Sequence, residues 1–131
     1  MKKSKFLLFI LLGLALAISS CKKDDEKEEV IQDPVLNFAS GNGYLAGDTS
    51  LAAGQELTIS ATAYQPDSTG LKELNVYHSE NGGSDVLLAT YTANGSSMHK
   101  DYIVSKSFEN LETYTIEIVN SNNKTTQQSF D

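Results

Sequence analysis

The one long apolar run of the chain lies at its N-terminus. Residues 6–17 are almost wholly apolar, behind Met1-Lys2-Lys3-Ser4-Lys5 and ahead of Ser19 and Ser20. A run of this length falls short of the roughly 20 residues that a membrane-spanning helix needs. The order basic, then apolar, then small is that of a cleavable secretory signal, assigned to residues 1–20. From Pro34 onward the pattern changes. Short β-type runs alternate with clusters of Gly, Asn, Asp and Ser, and no stretch repeats with the period of a helix. The clearest run is 55–63. Leu57, Ile59, Ala61 and Ala63 fall on one side and Glu56, Thr58, Ser60 and Thr62 on the other, as a strand with one buried face requires. Further strands are expected at 35–39, 71–78, 86–92, 100–108, 114–119 and 125–130. Turn signals such as Pro66-Asp67-Ser68-Thr69-Gly70, Asn81-Gly82-Gly83-Ser84 and Asn94-Gly95 separate them. Leu74 and Val76, Tyr102 and Val104, and Tyr114, Ile116 and Ile118 are the expected core positions of their strands.

Seven short strands within residues 34–131 predict one all-β domain, an antiparallel two-sheet sandwich. The stretch Leu111-Glu112-Thr113-Tyr114-Thr115-Ile116-Glu117-Ile118 resembles the tyrosine corner of fibronectin type III and PKD-like domains. That resemblance implies a seven-stranded immunoglobulin-like sandwich. It also implies that Tyr114 is structural, its hydroxyl bonding back to upstream backbone. The Trp-Asp-Phe-Gly-Asp-Gly-type signature of PKD domains and the Cys–Trp–Cys core of antibody domains are both absent, so the resemblance is to an architecture and not to a subfamily.

The end of the apolar run carries a second resemblance. Ile18-Ser19-Ser20-Cys21 is similar to the lipobox of bacterial lipoproteins, which implies cleavage before Cys21 and acylation of its thiol. Several acyl chains make stable attachment, whereas one gives only marginal binding. Cys21 is the sole cysteine, so no disulfide framework holds the domain. Residues 22–29 are all charged and lie within an expected disordered tether, 21–33. In it, Lys23-Asp24-Asp25 resembles the lipoprotein export signal of Bacteroidetes, which implies an outer-membrane anchor facing the exterior. Loss of Lys2, Lys3 and Lys5 with the signal leaves seven lysines against 17 acids, a net charge of −10 where the full chain carries −7. That balance argues against nucleic acid and against electrostatic adsorption on anionic lipid, so the membrane link rests on the acyl chains.

Catalytic constellations are sparse. Only His78 and His99 offer an imidazole base, both read as surface side chains, and no Gly-x-Ser-x-Gly elbow occurs. Gly41-Asn42-Gly43-Tyr44-Leu45-Ala46 matches a dinucleotide fingerprint only superficially, since Gly47 and Gly54 forbid the helix that must follow. No metal site and no cofactor are expected. Asp67, Asp85 and Asp101 lie in or near loops and are the weak calcium candidates. Sugar recognition usually stacks an aromatic on the pyranose face. With no Trp in the chain, Tyr77 and Tyr91 on adjacent strands form the candidate ligand platform. Asp67-Ser68-Thr69 resembles the O-glycosylation acceptor of Bacteroidetes, which implies modification at Ser68.

The expected protein is a non-enzymatic surface lipoprotein. It serves either as a binding or adhesion module with a glycan or protein partner, accessory to outer-membrane uptake, or as a subunit packing on a larger outer-membrane complex. An exposed Tyr77–Tyr91 pair would favour the first, and an unpaired edge strand with an apolar flank the second. Replacing Cys21 with Ala should yield unprocessed or soluble protein on membrane fractionation. A variant that stays membrane-bound after signal cleavage overturns the lipoprotein reading.

Overall fold

The computed structural model describes residues 28–106 and 110–131. The signal at 1–20, Cys21 and the export-signal residues Lys23, Asp24 and Asp25 lie outside the described residues. Seven strands form: β1 Val35–Phe38, β2 Glu56–Tyr64, β3 Leu71–Glu80, β4 Val86–Thr92, β5 Ser97–Ser105, β6 Glu112–Asn120 and β7 Thr125–Phe130. They make a three-stranded sheet in the order β1-β2-β5 and a four-stranded sheet in the order β4-β3-β6-β7. Every pairing is antiparallel, and no helix occurs among the described residues. The all-β, two-sheet architecture is thus the one the alternation predicts. Strands β4 and β7 occupy the expected spans. The fifth strand does not: it begins at Ser97 rather than Lys100 and ends at Ser105, pulled into register by pairing with all of β2. The expected end of that strand, Phe108, lies outside the described residues.

The core forms between the sheets. Ile59, Ala61 and Ala63 of β2 and Val104 of β5 face Leu74 and Val76 of β3 and Ile116 and Ile118 of β6, all buried. Phe130 closes the core from β7, its ring edge-on to Phe38 at 4.8 Å between centroids. Small alanines in β2 opposite larger aliphatics in β3 and β6 let the layers interdigitate. Sequence alternation placed the core residues of β2, β3, β5 and β6 correctly, but it missed Phe130 and Leu45. The loop between β1 and β2 forms an isolated parallel bridge, Tyr44 to Thr58, and thereby seats Leu45 in the core.

The N-terminal approach is held by side chains rather than by a strand. The Gln32 carbonyl accepts bonds from the Gln65 amide at 3.0 Å and the Asn120 amide at 3.3 Å, and the Gln32 N–H donates to Asp67. Asn120 is fully buried. Its side-chain oxygen Oδ1 is satisfied by the N–H groups of Asn122 and Lys124, which shapes the β6–β7 turn. Ordered contacts therefore start at least two residues before Pro34.

Phe130→Ala should lower unfolding free energy by about 3–5 kcal/mol, the usual loss for a buried aromatic. Ile103→Ala, at a position 64 % exposed, should change it by no more than about 0.5 kcal/mol. Urea denaturation of both variants checks the pair.

Candidate functional site

The β3–β6 ladder carries its inward face beyond the apolar core. Leu74 and Val76 lie opposite Ile118 and Ile116, and the same register sets His78 opposite Tyr114 and Glu80 opposite Glu112. Residues two apart on a strand share a face. The inner face of the four-stranded sheet thus ends in a polar corner. The His78 ring packs on Tyr114 with centroids 4.9 Å apart. Its Nε2 stands 3.9 Å from Glu112 Oε2, within ion-pair range but beyond a hydrogen bond. The His78 side chain keeps 19 % of its surface and that of Glu112 only 8 %. His78 is therefore not the surface side chain expected of a strand end, because strand β3 runs on to Glu80 and carries it inside. Its Nε2 is buried and makes no hydrogen bond. The Tyr114 hydroxyl donates to Glu112 Oε2 at 3.4 Å, and burial foremost, with Glu112 behind it, pushes the phenol up to about 12. Among the described residues that hydroxyl meets a side chain, where the tyrosine-corner resemblance implies backbone. A cleft of about 130 Å³, open to solvent, adjoins the corner, walled by Leu45, Leu51, Val104 and Phe130 and rimmed by Lys106, Glu112 and Asp131.

Tyr77 and Tyr91 are not brought together. Tyr91 pairs with Leu74 and so turns to the core side, where Lys100 Nζ covers its ring at 4.7 Å from the centroid. Tyr77 lies on the outer face, its hydroxyl donating to Glu117 Oε1 at 3.1 Å. Burial, and then that carboxylate, raises its phenol above the ordinary range. The expected platform fails because facing depends on the inter-strand register, which puts Tyr91 opposite a core leucine.

Strand β4 carries an irregularity within its expected span. Val76 pairs with Ala89 but Tyr77 with Leu87, so Leu88 is an extra residue, a β-bulge on the outermost strand of its sheet. The bulge breaks the alternation and places Leu87 beside Tyr77 instead of with Ala89 and Tyr91. Val86, Leu87 and Leu88 are 59 %, 52 % and 45 % exposed. Strand β4 holds no charged residue, whereas edge strand β5 carries Lys100 and Asp101 and edge strand β1 has only four residues.

Asp67 is a bonding hub in the β2–β3 turn. It accepts from the backbone N–H of Gln32 at 2.7 Å and of Thr69 at 2.9 Å, and from the Gln65 amide at 2.8 Å. The Gln32 bond leads in holding its carboxyl down at about 2. Ser68 is exposed in that turn, its hydroxyl donating to Glu29 at 2.9 Å. Asp101 pairs with His99 at 3.2 Å, both well exposed, and Asp85 lies in an exposed loop. Among the described residues, Asp67, Asp85 and Asp101 form no cluster with metal-ligand spacing. The cluster with that spacing is His78, Glu80 and Glu112. Its sequence signal was the His78-Ser79-Glu80 spacing on a strand, but Glu112 joins only through the β3–β6 register. Residues 41–46 are a loop, as expected. No protein-family model, no curated protein and no solved structure matches the chain.

The lowered Asp67 pKa carries a pH signature. The ionised form stabilises the fold, fully above about pH 4, and the effect is lost as pH falls towards 2. Asp67→Asn should melt below the parent at pH 7, with the gap closing between pH 4 and 2. Equal melting at pH 7 would sink the hub assignment.

Proposed function

We propose that the protein is a lipid-anchored, non-catalytic interaction module on the outer membrane, facing the exterior, and that its partner is a protein resident in the same membrane. The basic–apolar–small leader and the Ile18-Ser19-Ser20-Cys21 stretch support the anchor, and Lys23-Asp24-Asp25 supports its outward face. The observation that carries the choice of partner is the run Val86-Leu87-Leu88, exposed on an uncharged edge strand. Isolated exposed apolar residues are ordinary, but three in a row on a sheet edge mark an interaction surface. The bulge at Leu88 interrupts the ladder there. The partner accordingly meets side chains and does not extend the sheet by continuous strand addition along the edge. A glycan partner is the weaker reading, since Tyr77 and Tyr91 lie on opposite sides of their sheet.

Magnitudes favour a membrane-resident partner. Burying the exposed halves of three aliphatic side chains contributes about 3–4 kcal/mol, no more than the freedom lost when two proteins associate from solution. Confinement of both proteins to one membrane removes part of that cost in advance. The patch is too small for capture from solution and sufficient for a subunit that the anchor already holds beside its partner. This reading makes the protein a small subunit packing on a larger outer-membrane complex.

A photo-crosslinker at Leu88 of the intact lipidated chain, in its own membrane, should yield one discrete protein adduct. The same group at Gln127 on the opposite edge should yield none. Leu87→Lys with Leu88→Lys should abolish co-purification of that protein while changing stability by only about 0.5 kcal/mol. Equal crosslinking from both edges, or a soluble polysaccharide retained equally by the double variant, overturns the proposal.

A further inference from the structure

We infer that His78, Glu80 and Glu112 form a binding site for one divalent transition-metal ion, of which zinc fits best. The inference is independent of the β4 edge. Three features of the corner converge on a cation. The ligand atoms of the three side chains lie within 4.8 Å of one another. The Nε2 of His78 is buried without a hydrogen-bond partner, although buried polar atoms are almost always satisfied. Glu80 and Glu112 face each other directly across the antiparallel pair, an arrangement of like charges that destabilises a sheet unless a positive charge sits between them.

The donor set selects the class of ion. An imidazole nitrogen with two carboxylates suits zinc and its first-row neighbours, whereas calcium and magnesium prefer oxygen alone. Metal–ligand bonds of about 2.0–2.2 Å place tetrahedral donors about 3.3–3.6 Å apart. His78 Nε2 and Glu112 Oε2, at 3.9 Å, are already near that separation. Small side-chain rotations close the rest, and Glu80 is exposed and free to make them. The surroundings hold the other two donors. The Tyr114 ring lies against the imidazole, and its hydroxyl bonds Glu112 Oε2, the kind of outer contact that fixes a metal ligand's orientation. Three protein donors leave a fourth position for water or for an anionic group of a partner. Glu112 and Tyr114 also line the adjoining cleft, so that position borders it.

The competing arrangement is a protonated His78 paired with Glu112 and no metal. Calorimetric titration of the full lipidated chain in detergent with Zn²⁺ separates the two. One ion per chain at micromolar affinity or tighter is expected, and Co²⁺ should give the visible bands of a four-coordinate site. His78→Gln and Glu112→Gln should each weaken Zn²⁺ binding by more than about tenfold, and His99→Gln should leave it unchanged. Glu80→Gln, at an exposed position, keeps the question decidable if the buried variants fail to fold. Saturating Zn²⁺ should raise the melting temperature of the parent and not of Glu80→Gln. No one-to-one binding, or binding that survives both His78→Gln and Glu80→Gln, overturns the inference. Tight Ca²⁺ binding indifferent to His78→Gln would do the same.

Discussion

Strands β3 and β6 share the longest ladder of the four-stranded sheet, from Leu71 opposite Asn120 to Glu80 opposite Glu112. Side chains alternate along each strand, so from Glu73 opposite Val119 onward, past an irregularity between Leu71 and Glu73, this register decides the face that the paired residues of both strands take. It puts Leu74, Val76, Ile116 and Ile118 into the space facing β2 and β5. A slip of one residue in β6 would instead bring Thr115 and Glu117 to the core. The same constraint assembles the polar corner. His78 and Glu80 follow Leu74 and Val76 at even spacing, and Tyr114 and Glu112 precede Ile116 and Ile118. Burial of the apolar half thus holds the polar half in place, which accounts for a histidine nitrogen and a carboxylate buried at the end of a hydrophobic layer.

The strand spans and core faces were largely legible because period-two alternation and turn dipeptides are local. Strand β2 shows Leu57, Ile59, Ala61 and Ala63 on one side in the sequence and in the structure. What escaped was set by pairing between strands. Strand β5 starts three residues early because β2 is long enough to hold Ser97, Met98 and His99 in register, although those residues show no alternation of their own. Tyr91 turns to the core because it meets Leu74, and Leu87 turns away from it because a bulge intervenes. Leu45 enters the core from a loop with no periodic signal at all. The His78–Glu80–Glu112 corner was half visible: two donors sit two residues apart, and the third comes from a strand more than 30 residues on.

Edge management and exposure are coupled at β4. A bulge on an outermost strand ordinarily protects a sheet from pairing with another chain. At Leu88 it does so by inserting a residue, and the insertion moves Leu87 to the outer face next to Tyr77. The edge is spared continuous pairing but acquires an apolar flank. Strand β5 solves the same problem with Lys100 and Asp101 and carries no such run.

The clamp on Gln32 has a mechanical meaning. Strand β1 pairs with β2 over only four residues, and a pull on its N-terminal end could peel those pairs apart in succession. The hydrogen bonds that tie Gln32 to Gln65, Asp67 and Asn120, with the Asp33–Lys124 ion pair, lie upstream of β1. Tension entering the domain from residue 28 is therefore shared among the β2–β3 turn, the end of β6 and the β6–β7 turn before it reaches β1. Several contacts loaded together must yield at once, so the domain resists a pull on its N-terminal side better than the short first strand alone would suggest.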